Sequence, residues 1–100
     1  MNTFTLQANH HRPVPYTVPP SGKIRFEVDS EYPTSTLILD EAGYAAFRSG
    51  SAVYYRYGGF DATTEHRQEL ILAFRGTFYL VIVNYSLSQS TAAHYNVWFP

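Results

Sequence analysis

The side chains best suited to metal ligation or general-base work are four histidines, His10, His11, His66 and His94. A metal centre needs several of them to converge on one point. His10 and His11 are adjacent, so an extended backbone sends them to opposite sides. The spacing supplies no shared ligand set, and all four read as surface histidines. Hydrolysis by an activated serine needs a nucleophile beside a base, and no serine stands in a Gly-x-Ser-x-Gly elbow. Ser86, Ser88 and Ser90 fall in a polar stretch instead. Glycoside cleavage needs two carboxyl groups across a cleft. The candidates are Glu27, Asp29, Asp40, Glu41, Asp61, Glu65 and Glu69. Most lie in or beside expected turns and loops, and Glu27 and Asp29 occupy the wet face of an expected strand, so they read as solvated charge. With no cysteine, disulfides, zinc-thiolate sites and thiol catalysis are excluded. The chain is expected not to be an enzyme and to have no cofactor and no metal.

The stretch Val53 to Phe60, VYYRYGGF, carries a different chemistry. Large amphipathic rings on a rigid strand lose little entropy on binding, and arginine adds stacking and forked hydrogen bonds. Read as a strand over 52–57, alternation sends Tyr55 and Tyr57 to the core and Tyr54 with Arg56 to solvent. Trp98 and Tyr79 are expected nearby on the same outer face. The expected binding surface is therefore Tyr54, Arg56, Trp98 and Tyr79. A partner protein, a second copy of the chain or a sugar ring suits such a patch, with Asn84, Asn96, Gln89 and Asp61 as polar partners for a sugar.

The elements that must hold these residues are short strands. Lys23 to Asp29 alternates Ile24, Phe26 and Val28 with charged neighbours, a period of two. Ser35 to Asp40 is a continuous apolar strand, suggesting burial on both faces. Ser30 to Pro33 reads as a loop, and Tyr44 to Arg48 as one helical turn. Gln68 to Phe74 and Thr77 to Tyr85 are joined by Arg75-Gly76 and read as a hairpin. Ala93 to Phe99 closes the chain, with His94, Asn96 and Trp98 facing outward. Residues 1–14 form an arm, interrupted by prolines and less ordered than the domain at 15–100 unless a strand holds it. Turn signals about every 8–12 residues argue for an all-β fold. The expected architecture is a single small antiparallel β-sandwich or flattened barrel of six to eight strands. Its core should hold Ile24, Phe26, Val28, Leu37, Leu39, Leu70, Leu72, Phe78, Leu80, Ile82, Val97 and Phe99.

One hundred residues make one domain. Aromatic residues make up 17% of the chain, in keeping with pleated, half-buried surfaces. Charged residues are only 15% and the net charge is −1, which argues against nucleic acid and anionic lipid as partners. No apolar run approaches the ~20 residues of a membrane helix. The N-terminal residues do not read as a signal peptide, so a cytoplasmic, soluble domain is expected.

Several pieces in order carry a resemblance. SGKIRFEV, LILDEAGYAAFRSG, YYRYGG, RGTFYLVIVN and the closing VWFP, spread over residues 21–100, resemble the bacterial domain-of-unknown-function family 1883. The Tyr-Gly-Gly piece is the most specific. Glu65-His66-Arg67 departs from the Ser-Pro that this family often has before the penultimate hairpin, and the N-terminal arm is longer. The resemblance implies a compact all-β domain, found alone or beside Toll/interleukin-receptor-like domains, with no catalytic residues. The resulting expectation is a non-catalytic binding module for protein–protein interaction or self-assembly. The alternative is a lectin-like carbohydrate-binding module using exposed tyrosine and tryptophan.

Overall fold

The computed structural model describes residues 2–100. Six strands and one short helix follow in the order β1 (Asn2–Leu6), β2 (His10–Thr17), β3 (Lys23–Asp40), α1 (Glu41–Arg48), β4 (Thr63–Ile71), β5 (Thr77–Asn84) and β6 (Thr91–Trp98). All strand pairs are antiparallel, and the sheet curls into a half-barrel.

The organising element is β3. Its first half, Lys23 to Ser30, lies between β4 and β6; its second half, Ser35 to Asp40, pairs with β5. The register shifts between Asp29 and Thr34, where the strand bends. Residues 30–33, expected as a loop, continue the strand. Thr91 holds the bend from β6, its hydroxyl accepting the Tyr32 backbone N–H at 2.9 Å. The expected hairpin of 68–74 with 77–85 does not form. Strand β4 starts five residues earlier than expected and pairs with β3, while β5 inserts between β3 and β2. Both strands compete for one long, bent partner, and each takes a different half of it.

Residues 2–6 pair with β6, and residues 10–17 pair along the whole of β5. The boundary expected between residues 14 and 15 falls inside β2. The prolines at 13 and 15 are compatible with a strand because of where they sit. Val18 donates its N–H to the Gly76 carbonyl at 2.8 Å, one step beyond the Thr17–Thr77 pair. Alternation then turns the backbone of Tyr16, Val14 and Arg12 toward β5 and that of Pro15 and Pro13 toward the outer edge, where no N–H is needed.

The main core lies on the concave side and includes Ile24, Phe26, Val28, Ile38, Phe78, Leu80 and Ile82, all fully buried. Leu37, Leu39, Val81 and Val83 face the opposite way and form a second cluster under α1. The continuous apolar runs at 35–40 and 78–83 are therefore buried on both faces, one set in each cluster. Among the expected core residues, Leu70 and Val97 are half-buried at the rim. Phe99 lies beyond the end of β6 and is 46% exposed, touching Tyr16 and Phe78 only by its edge.

The helix begins at Asp40, whose carboxylate accepts the Gly43 N–H at 2.6 Å. Glu41 in the first turn and Arg48 in the last complement the helix dipole. The whole segment from Glu41 is helical, not only Tyr44 to Arg48.

Candidate interaction surface

Residues 52–57 do not form a strand. They cross the second half of β3 as an irregular segment, and only at Gly58 does a bridge to Ile38 form. Tyr57 extends that contact by donating its N–H to the Ile38 carbonyl, and Phe60 by exchanging two backbone hydrogen bonds with Thr36. The glycine pair makes the approach feasible. A Cβ on Gly58 would meet the Leu70 side chain at 2.5 Å, and Gly59, at φ +115°, lies where a Cβ would strike the Thr36 carbonyl.

Without a strand, alternation does not apply, and the expected patch separates. Tyr54 is half-buried, its ring edge-on to Phe47 at 5.8 Å on the second core. Tyr79 stacks on Tyr44 at 4.4 Å beneath the helix. Arg56 works as an internal strut, donating to the Gly58 and Thr36 carbonyls at 3.2 Å and to Asp61 at 2.9 Å. Trp98 does face outward, as expected, but on the other half of the sheet, with the Arg25 guanidinium over its ring at 5.0 Å. The tyrosine of the segment that stands in solvent is Tyr55, 68% exposed and expected in the core. Tyr57, expected beside it in the core, is half-buried against Phe74 and donates its hydroxyl to Asp40 at 3.0 Å.

His11, His66 and His94 are likewise held by contacts within the fold. His66, expected at the surface, is fully buried. The Thr63 carbonyl lies 3.0 Å from its Nε2 and can only accept, which assigns the ring proton to that nitrogen. Nδ1 then accepts from the Thr36 hydroxyl at 2.9 Å, and Thr34 Oγ1 lies 3.1 Å from Nε2. Burial holds the His66 pKa below its ordinary value and keeps the ring neutral. His11 packs against Phe47 and Tyr44, its pKa lowered by burial and then by His10. His94 donates to Asp29 at 3.1 Å. The histidines do not converge, and no group of three metal-ligating side chains occurs among the described residues. Asn84, considered as a sugar partner, is buried and donates to the carbonyls of Leu6, Gln7 and Gln89.

The remaining organised surface is the outer face of β6, β3 and β4. Register places Trp98, Arg25 and Glu69 in one row, Asn96, Glu27 and Arg67 in the next, and His94, Asp29 and Glu65 in the third. Arg67 bridges Glu27 and Asp29 at 3.0 Å each. Its hydrogen bond to Asp29 raises its pKa above the ordinary value.

This face ends at β4, which pairs with β3 alone. Leu72 donates its N–H to the Gly22 carbonyl at 2.8 Å, one step beyond the Lys23–Ile71 pair. Alternation therefore turns the backbone of Leu70, Gln68 and His66 toward β3. The N–H and C=O groups of Ile71, Glu69, Arg67 and Glu65 point to the free edge. A shallow concavity of about 530 Å³, lined by Lys23, Ile24, Glu69, Leu70 and Ile71, adjoins this edge. Ile71 is 73% exposed there. Sequence reasoning missed this site because it began the strand at Gln68 and paired 68–74 with 77–85. The alternation of Glu65, Arg67, Glu69 and Ile71 was the available signal.

No helix among the described residues is long and apolar enough to cross a membrane. No protein-family model matches the chain, and the search of curated proteins returned no match.

Proposed function

We propose that the chain is a non-catalytic protein-interaction module that receives a partner strand on the open edge of β4. The observation that carries this reading is the nine-residue β4, whose outward backbone groups have no partner strand among the described residues and whose sequence contains neither proline nor lysine. Strand addition draws affinity from main-chain hydrogen bonds and specificity from alternate side chains. Both are available along Glu65, Arg67, Glu69 and Ile71. The other edges are less receptive: β1 has five residues, and β2 presents Pro13 and Pro15 outward. The resemblance to domain-of-unknown-function family 1883, with its signalling neighbours, supports the same reading by analogy, and a cytoplasmic setting agrees with it. The carbohydrate reading finds less support, because the rings of Tyr54, Tyr79 and Trp98 already face Phe47, Tyr44 and Arg25.

A photoreactive phenylalanine placed at Ile71, and in a second variant at Pro15, tests the proposal in the cells that make the protein. Illumination should yield an adduct of defined mass from position 71 and none from position 15. The absence of an adduct at 71, or equal adducts at both positions, overturns the reading.

A further inference from the structure

The occupant of the β4 edge follows from its own side chains. We infer that it is a second copy of this chain, paired antiparallel through β4 about a two-fold axis at Gln68; this inference rests on the interaction reading above. Across an antiparallel pair, directly opposite residues point to the same face of the sheet. A two-fold axis through the joined edges therefore passes through a residue, and three centres bring most of β4 together. Centring on Arg67 sets Arg67 against Arg67 and Glu65 against Glu69, so every charged pair is repulsive. Centring on His66 pairs Arg67 with the second copy's Glu65 but leaves Ile71 outside. Centring on Gln68 pairs Arg67 with the second copy's Glu69 twice over and brings Ile71 against the second copy's Glu65.

In each of these arrangements the residues that meet are those whose backbone groups face the open edge, and two further observations select the last. Glu69 has no ion-pair partner among the described residues and is exposed, so its charge is available. Ile71 is among the most exposed apolar side chains among the described residues and borders the concavity at this edge, so the pairing removes it from water. Arg67 stays half-exposed in its bridges to Glu27 and Asp29 and can add a second acceptor.

Charge reversal tests this. Glu69→Arg alone sets Arg67 against arginine in both pairs, and Arg67→Glu alone sets glutamate against Glu69. Sedimentation equilibrium should show a dimer for the unaltered chain and about tenfold or weaker dimerisation for each variant. An equimolar mixture of the two variants should recover a heterodimer, because every opposed pair is then complementary. Glu65→Arg leaves both Arg67–Glu69 pairs intact and should dimerise like the unaltered chain. Circular dichroism checks that each variant is folded; Glu69→Arg removes no ion pair or side-chain hydrogen bond among the described residues, although it stands opposite Arg25, and decides the matter if Arg67→Glu unfolds. A dimer lost in Glu65→Arg but kept in Glu69→Arg overturns this register, as does failure of the mixture to associate. An unaltered chain that stays monomeric, while position 71 still captures a different protein in cells, removes the second copy as occupant and leaves the interaction reading standing. A monomer with no adduct at position 71 overturns both.

Discussion

His66 shows how a single side chain ties the two halves of the fold together. Its ring lies on β4, yet it bonds Thr34 and Thr36 at and beyond the bend of β3, and Thr36 in turn accepts the Phe60 N–H at 3.0 Å. The ring is neutral because burial depresses its pKa below 6.5. The unfolded chain therefore binds the proton more tightly than the folded one. The stability that His66 contributes is complete above about pH 6.5 and is lost as pH falls below it toward the lower folded value. Urea unfolding followed between pH 8 and pH 5 should show that loss, and His66→Phe should flatten it. The same substitution removes the acceptor of the Thr36 hydroxyl and the ring contact of Thr34, which keeps only Ser30, and should cost about 2–4 kcal/mol at neutral pH. Tyr54 and Arg56 make a contrasting case. Alternation would make them free surface, whereas they pack on Phe47 and brace Thr36. Changing both to alanine should therefore lower stability by about 2 kcal/mol, or roughly 8–16 °C in melting temperature by calorimetry. An unchanged melting temperature would contradict the packing described.

At the scale of elements, Asp40 joins helix to loop. One carboxylate oxygen caps α1 and the other accepts the Tyr57 hydroxyl. Asp40→Ala should cost about 1–2 kcal/mol in denaturant titrations, and a double-mutant cycle with Tyr57→Phe should show coupling. Gly59→Ala should be more damaging, at about 2 kcal/mol or more, because the new Cβ must displace the Thr36 carbonyl at a positive φ. Strand β3 was legible where its pattern is local: Ile24, Phe26 and Val28 alternate with charges, and each is buried as alternation requires. The pairing of β4 was not legible, because Leu72 and Phe74 continue the alternation of Leu70 past the end of the strand and Arg75-Gly76 imitates a hairpin turn. The strand character of His10–Thr17 was hidden by its prolines, which forbid an interior strand and permit an edge. The segment 52–57 misled for the opposite reason. Its tyrosines favour strands, and Gly58-Gly59 instead lays it across β3. Of the expected site residues, only Trp98 reaches solvent as alternation predicts; Tyr79 also lies on a strand expected in the right place and turns away from the main core, but α1 covers that face with Tyr44.

At the scale of the whole molecule, the sheet has three edge strands of unequal character: β1 is short, β2 carries two outward prolines, and β4 is long and unprotected. The prolines of β2 are usually discussed as obstacles to pairing; here they also set a count. A subunit with a single receptive edge has a valence of one, so association ends at two chains and cannot propagate. Giving β2 the donors it lacks raises the valence to two. Pro13→Val with Pro15→Val keeps the β5 ladder intact, since both positions face away from it, yet light scattering should then find species growing with concentration beyond any dimer. In the proposed dimer, the stoichiometry is thus set by two residues that make no contact with the partner at all.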